Sequence, residues 1–193
     1  TSSFRSNPLR LAEFTLSRKD PAYVGRAKEV HAVEAAREAG QCPCAVSEEV
    51  AAVYDALQGK FGTLNAKDIV LGSTIYANKP GDGSAREQAA SCQRVLGGAA
   101  NLAREYATKR YRSNLINWGM LPFLAPSAED FQVGDYLFLP QVRDRVLDGA
   151  PTQASIVRGG KIVGEVRLRL GALTDDERQI LLDGCLINFY RKH

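Results

Sequence analysis

Apolar and polar positions alternate along this chain in two styles, helical in the first third and mixed thereafter. Between Tyr23 and Ala39, the residues Val24, Ala27, Val30, Ala32, Val33 and Ala36 recur at helical spacing with charges between them, and Gly40 marks the stop. Ahead of that helix, Thr1 to Asp20 mix polar and apolar types without a clear period, which predicts an extended or weakly helical lead-in. Pro43 interrupts "QCPCAVSEEV". Ser47, followed by Glu48 and Glu49, then opens a second helix reaching about Gln58, with acids where the helix dipole favours them. "DIVLGSTIY", Asp68 to Tyr76, is a β-branched and aliphatic run between polar segments, the mark of a buried strand.

After a glycine turn, Arg86 to Leu96 reads as a helix ending at Gly97-Gly98. A strand near Ala99 to Ala103 and a helix from about Ala107 to Trp118 follow, closed by "GMLPF". Beyond it the pattern is β-rich: "GDYLFLP", then "TQASIVRGGKIVGEVRLRL" as a hairpin turning at Gly159-Gly160. A final helix stands behind Thr174-Asp175-Asp176-Glu177. The order is α, then βαβα, then β-rich, without internal repeats or low-complexity segments. It predicts one compact α/β domain with helices N-terminal to it.

Composition narrows this only modestly. A length of 193 residues suits one substantial core, and 45% apolar with 24% charged residues excludes a disordered chain or a fibre. No apolar run approaches the ~20 residues of a membrane helix, and no signal-peptide pattern is present. The chain opens on Thr1 rather than Met and reads as a piece of something longer. Four cysteines do not make a disulfide scaffold at this length, so a reducing, cytoplasmic location is expected. A net charge of +3 does not by itself point to nucleic acid.

The chemistry concentrates in "KPGDGSAREQAA", Lys79 to Ala90. Gly81 and Gly83 permit positive φ and close approach of backbone to a ligand. The helix that follows turns its unpaired N–H groups and the positive end of its dipole toward the turn, which suits a carboxylate or phosphate. Arg86 adds a planar fork matched to a carboxylate, and Ser84 lies where an ionised hydroxyl would be stabilised enough to take a proton. The plainer alternative makes Ser84 an N-cap and Arg86 a surface residue. The stretch fits neither the phosphate loop nor the dinucleotide fingerprint, because the Lys and the third Gly are missing.

"GDGSAREQAA" resembles the Gly-Ser-Ser-Arg-Glu-His motif in the C-terminal swivel domain of the aconitase and isopropylmalate isomerase family. "RVLGGAANLAREYATKRYRSNLINWGMLPF", Arg94 to Phe123, is similar to that family's Leu-Gly-Gly, strand, short helix, Thr-Asn-Leu and Gly-Leu-Leu-Pro run. "DIVLGSTIY" stands where the family has the strand before its motif, and the likeness covers residues 47–140 best. The resemblance implies an aconitase-like swivel domain, a mixed β/β/α sandwich-barrel with helices outside, over residues 46–193. Residues 1–45 are then an N-terminal extension.

It implies reversible dehydration and hydration of a hydroxy-polycarboxylic acid, with Ser84 as catalytic base and Arg86, Gly83 and Ala85 at the substrate. A four-iron, four-sulfur (4Fe-4S) cluster is implied in partner domains, fused or a separate subunit, and none is implied in this chain. Base chemistry of this kind requires the swivel domain to close and expel water. Two positions depart from the motif. Ala85 replaces the second serine and Gln88 the histidine, which leaves a degenerate, non-catalytic member as an alternative.

"CPC" (Cys42, Cys44) supplies two thiols where a metal site needs about four ligands, so small buried or incidental thiols are the simpler reading, even counting Cys92 and Cys185. "REYATKRYR", Arg104 to Arg112, interleaves bases with tyrosines. That pattern admits an RNA- or anion-binding module, a solvated helix face, or arginines for the substrate's carboxylates. His31, His193, Trp118 and Met120 read as bystanders or packing residues.

Overall fold

The computed structural model describes residues 6–18 and 20–193; residues 1–5 and Lys19 of the lead-in lie outside the described residues. Helix α1 spans Pro8–Ser17, where proline suits the first turn and the Asn7 side chain accepts the Arg10 N–H. The lead-in thus holds a regular helix, because a cap and a buried Ala12 replace the missing period. Helix α2 (Pro21–Glu38) starts the same way, from Asp20 before Pro21. A short α3 (Pro43–Val46) precedes α4 (Glu48–Phe61), whose Ser47 cap accepts the Val50 N–H.

Strand β1 (Ser73–Ala77), helix α5 (Arg86–Val95), strand β2 (Gly98–Ala103), helix α6 (Lys109–Asn117) and strand β3 (Leu121–Leu124) then alternate. They form a parallel sheet in the order β1-β2-β3, with Ile75 opposite Asn101 and Leu102 opposite Phe123. Two expectations are corrected. Only the second half of "DIVLGSTIY" is strand: Ala66–Asp68 is a 3-10 turn, and the Leu71 N–H goes to the buried Glu34 carboxylate of α2 (2.9 Å) instead of a neighbouring strand. "GMLPF" does more than end a helix, because Leu121–Leu124 is itself a strand, and Pro122 is tolerated at a sheet edge.

Strands β4 (Tyr136–Phe138), β5 (Thr152–Arg158) and β6 (Lys161–Leu168) make an antiparallel meander, and the β5–β6 turn falls at Gly159-Gly160 as expected. Helix α7 (Val142–Asp148) lies between β4 and β5; α8 (Asp175–Asp183) begins with a full capping box from Thr174 and Glu177. Helix α9 (Leu186–Lys192) follows after Gly184. The two sheets are joined where Leu124 and Arg169 exchange backbone hydrogen bonds of 2.7 and 3.2 Å.

Burial explains the layering. Leu102 and Phe123 of the parallel sheet share one core with Ala154, Ile156, Val166 and Leu168 of the meander, closed by Ile116, Val146 and Ile180 from α6, α7 and α8. Alternation along β1 turns Tyr76 toward this core and Ile75 the other way, onto α1, α2 and α5. Val53 and Leu57 of α4 cover Val157 of the hairpin. The architecture is a mixed α/β sandwich of two sheets with helices around them. At the parallel sheet, the C-terminal ends of β1 and β2 emerge on one rim.

Candidate active site

Asn78 follows β1 and Arg104 follows β2, so the segments leaving both strands begin side by side. They are stitched together: the Glu105 N–H donates to the Asn78 carbonyl (3.1 Å) and the Ala107 N–H to the Pro80 carbonyl (2.9 Å). The Gly81 carbonyl then accepts from the Thr108 hydroxyl and from Arg86 Nε, both at 3.1 Å. Gly81 has φ +97°, and a Cβ placed on it would lie 2.4 Å from Tyr111 Cβ. A side chain is excluded there on two counts, which is why the turn needs glycine.

Under the turn lies a buried polar relay. Gln93 of α5 donates to Asn101 Oδ1 (2.6 Å), and Asn101 Nδ2 donates to the Tyr111 hydroxyl (3.1 Å). Tyr111 is 6% exposed and Asn101 3%. Burial raises the pKa of the Tyr111 phenol, so it stays protonated as a structural strut.

Past Gly81 the chain opens to solvent. Asp82, Gly83, Ser84 and Ala85 are all exposed, and no atom comes within 4 Å of the Cβ position at Gly83. Gly83 does not have positive φ, contrary to expectation; what its lack of a side chain provides is open space. The N-cap of α5 is Ala85, without a side-chain cap, so Ser84 is not the cap of the plainer alternative. Its hydroxyl makes no hydrogen bond among the described residues. Arg86 is half-buried, held through Nε, and its two terminal nitrogens have no partner among the described residues. Gln88, at the histidine position of the motif, instead donates to the Thr15 hydroxyl of α1 (3.5 Å).

The sequence-based reading overlooked the shallow cleft beside this loop, lined by Asn78, Lys79, Arg104 and Glu105. Lys79 pairs with Glu105 at 2.9 Å. The available signal was positional, since ligands of open parallel sheets gather outside the carboxyl ends of the strands.

"REYATKRYR" loses its aromatic surface. Tyr111 is buried, and the half-buried Tyr106 donates its hydroxyl inward to the Phe123 carbonyl (2.9 Å). Arg112 is tied to the Ala172 carbonyl (2.6 Å). Lys109, Arg110 and Arg104 remain exposed.

The cysteines are dispersed. Cys42 and Cys44 sit at α3, where the Cys44 backbone lowers the Cys42 thiol pKa and burial raises that of Cys44; Cys92 is buried between α5, α1 and α2; Cys185 precedes α9. No group of three or more His, Cys, Asp or Glu gathers as metal ligands among the described residues. His31 lies over Gly97, His193 beside Asp183 at 3.5 Å, and Met120 is buried with Leu115 and Tyr111. No helix among the described residues is long and apolar enough to cross a membrane.

Comparison with known proteins gives three likenesses. Residues 38–128, from the end of α2 past β3, match the aconitase C-terminal domain family. The homoaconitase small subunit of Thermus thermophilus is 29% identical over 129 residues, 66% of this chain and 70% of that protein. A crystal structure of 3-isopropylmalate dehydratase from Methanocaldococcus jannaschii matches with 28% identity and a TM-score of 0.47, covering 66% of this chain and 68% of that one. The likeness to the aconitase C-terminal domain thus lies in residues 38–128, the segment that carries the parallel sheet and the glycine loop.

Proposed function

We propose that this chain is the swivel component of an aconitase-type hydro-lyase acting on a hydroxy-polycarboxylic acid, with Ser84 as base and Arg86 as a carboxylate-binding residue. The observation that carries the reading is the state of the loop from Gly81 to Arg86. A glycine-fixed bend, locked from below by Tyr111, holds out an unbonded hydroxyl and an arginine fork beside the uncapped start of α5. Gly83 and Ala85 leave backbone and space for substrate on either side of Ser84.

The roles follow from the chemistry. The terminal nitrogens of Arg86 donate in parallel to a substrate carboxylate, and the N–H groups opening α5 add positive potential at the same place. A fixed carboxylate sets the neighbouring C–H in front of Ser84 Oγ, which in its ionised form would take the proton and become a neutral hydroxyl as hydroxide leaves from the adjacent carbon; hydration runs the steps in reverse. In open water a serine oxygen is a poor base. The site must be closed by a second body that excludes solvent, and the exposure of Ser84 in this chain supports such a split site.

The small-subunit name of the Thermus relative supports a separate large subunit as that body. In this family a 4Fe-4S cluster supplies Lewis acidity toward the departing hydroxyl. The four dispersed cysteines do not fit a cluster's ligand set, so the reading assigns that group to the partner.

In the enzyme assembled with its partner, Ser84→Ala is expected to lower kcat by about 10²- to 10⁴-fold while substrate affinity is retained. An unchanged kcat removes Ser84 from the mechanism.

A further inference from the structure

The motif "CPC" has a setting that the hydro-lyase reading leaves unused. Pro43 opens α3, so Cys42 stands at its cap position and Cys44 in its only turn. A helical residue between two others holds their Cα atoms about 5.5 Å apart, a span that suits a disulfide. Both cysteines are free, and their thiols lie close enough to hydrogen-bond to each other. Their surroundings differ. Cys42 is exposed, and the Cys44 N–H, the Cys44 thiol and the Ala45 N–H hold its thiol below the ordinary value. Cys44 is half-buried, and burial, the Cys42 thiol and the Asp55 carboxylate hold its thiol above it.

Behind the pair lies an orphaned donor. The Tyr54 hydroxyl of α4 is buried without a hydrogen-bond partner among the described residues, and Tyr54 is 4% exposed. Cys44 packs against the cluster of Val33, Val50 and Tyr54, and an ionised Cys44 acts on that phenol ahead of any other charge. A buried hydroxyl without an acceptor gains one when the neighbouring thiol becomes a thiolate.

We propose that Cys42 and Cys44 form a reversible dithiol–disulfide site that exchanges with small disulfides of the glutathione class, with Tyr54 assisting ring closure. The site is separate from the hydro-lyase reading and does not depend on it. Ile69 and Leu71 of the same cluster lead into the start of β1, whereas the Ser84 loop follows its far end. The Cys42 thiolate attacks one sulfur of the small disulfide; a mixed disulfide forms and the first glutathione thiolate departs. Cys44 then gives its proton to solvent, and its thiolate, accepting from Tyr54, attacks Cys42 Sγ and expels the second glutathione thiolate. Both departing thiolates take up protons, so two protein thiols become one disulfide and the small disulfide is reduced to two thiols.

The test adds one equivalent of oxidised glutathione to the native full chain, alkylates the remaining thiols and weighs the tryptic peptide 38–60. That peptide holds Cys42 and Cys44 but neither Cys92 nor Cys185. It is expected to lose two hydrogens and both alkylation sites, and to regain them with dithiothreitol, while Cys92 and Cys185 stay free. Cys44→Ser should stop at the mixed disulfide on Cys42. Cys42→Ser should react at least about tenfold more slowly, because the remaining thiol is half-buried and less ionised. Tyr54→Phe should leave the first step unchanged and slow closure about threefold. The hydroxyl raises the thiolate population but makes each thiolate a weaker nucleophile, so only part of its effect reaches the rate. It bonds to nothing in the reduced fold, so its removal reports on closure and not on folding.

Thiols that stay free, a mixed disulfide that persists in the parent, a disulfide between two chains, or equal rates in the two serine variants would each overturn the proposal. So would closure that occurs only in urea, since the native placement would then not support it. Closure at the parent's rate in Tyr54→Phe would overturn the part given to the tyrosine.

Discussion

Two glycines, two residues apart in the same loop, do opposite work. At Gly81 a Cβ would meet Tyr111 Cβ at 2.4 Å with φ at +97°. Tyr111 cannot retreat, because its ring is buried and its hydroxyl is held by Asn101. Gly81→Ala is therefore expected to cost about 2–4 kcal/mol, the sum of backbone strain and overpacking, read from urea unfolding. At Gly83, where φ is ordinary and the surroundings empty, Ala should change stability by no more than about 0.5 kcal/mol. Similar costs at both sites would contradict the locked bend. An activity loss in Gly83→Ala without a stability loss would place substrate against that backbone. From the sequence, both glycines looked alike. The difference is made by Tyr111, thirty residues on, and no local pattern reveals that a tyrosine underlies the turn.

Between elements, specific polar pairs do the fastening. Asp135, just ahead of β4, receives both Nε and a terminal nitrogen of Arg158, at the end of β5, at 2.8 and 2.7 Å. The guanidinium holds the Asp135 carboxyl below its ordinary value of 3.8. With the folded value below the unfolded one, the native state binds fewer protons. The pair thus stabilises fully above the unfolded value, and this stability is lost as pH falls through the folded value. Arg158→Gln should lower the urea midpoint near neutrality, and its gap from the parent should begin to narrow below about pH 4 and close only beneath the folded value of Asp135. A gap independent of pH would show that the pair is not the cause.

On α2, Glu34 is nearly buried, pairs with Arg37 at 2.6 Å and accepts the Leu71 N–H. Glu34→Ala leaves the mostly buried Arg37 guanidinium with only the Ala66 and Lys67 carbonyls and no counter-charge from Glu34, and should cost about 2–4 kcal/mol in the same assay. This pair also explains why the β1 reading ran long: the side chain that diverts the Leu71 N–H comes from another helix, thirty-seven residues away. Elements with local punctuation were legible, among them α4 behind Ser47, α8 behind its capping box and the β5–β6 turn. Those without it were missed. Helix α7 begins from Gln141 in the left-handed region with no side-chain cap, and β3 contains a proline that only an edge position tolerates.

At the scale of the molecule, the two sheets and their helices form a body whose glycine loop, residues 82–85, is exposed on the rim. Its motif residues were legible because they are contiguous, whereas Arg104 and Lys79 come together only through the parallel pairing of β1 with β2. On the proposed reading, a rim with an exposed hydroxyl and an arginine held only through its Nε is half of a site. Alone it lacks the low-dielectric enclosure in which such groups act strongly on charge. Purified on its own, the chain should fold, retain no iron–sulfur cluster after anaerobic reconstitution, and show no hydratase turnover. The reasons are separate: the cysteines sit at α3, in α5 and before α9, too dispersed to share a cluster, while Ser84 is open to water. Addition of the iron–sulfur partner should produce turnover that Ser84→Ala lowers by about 10²- to 10⁴-fold. Turnover by the isolated chain would refute the split site, and a cluster retained by it would mean that these cysteines converge in a way their placement does not allow.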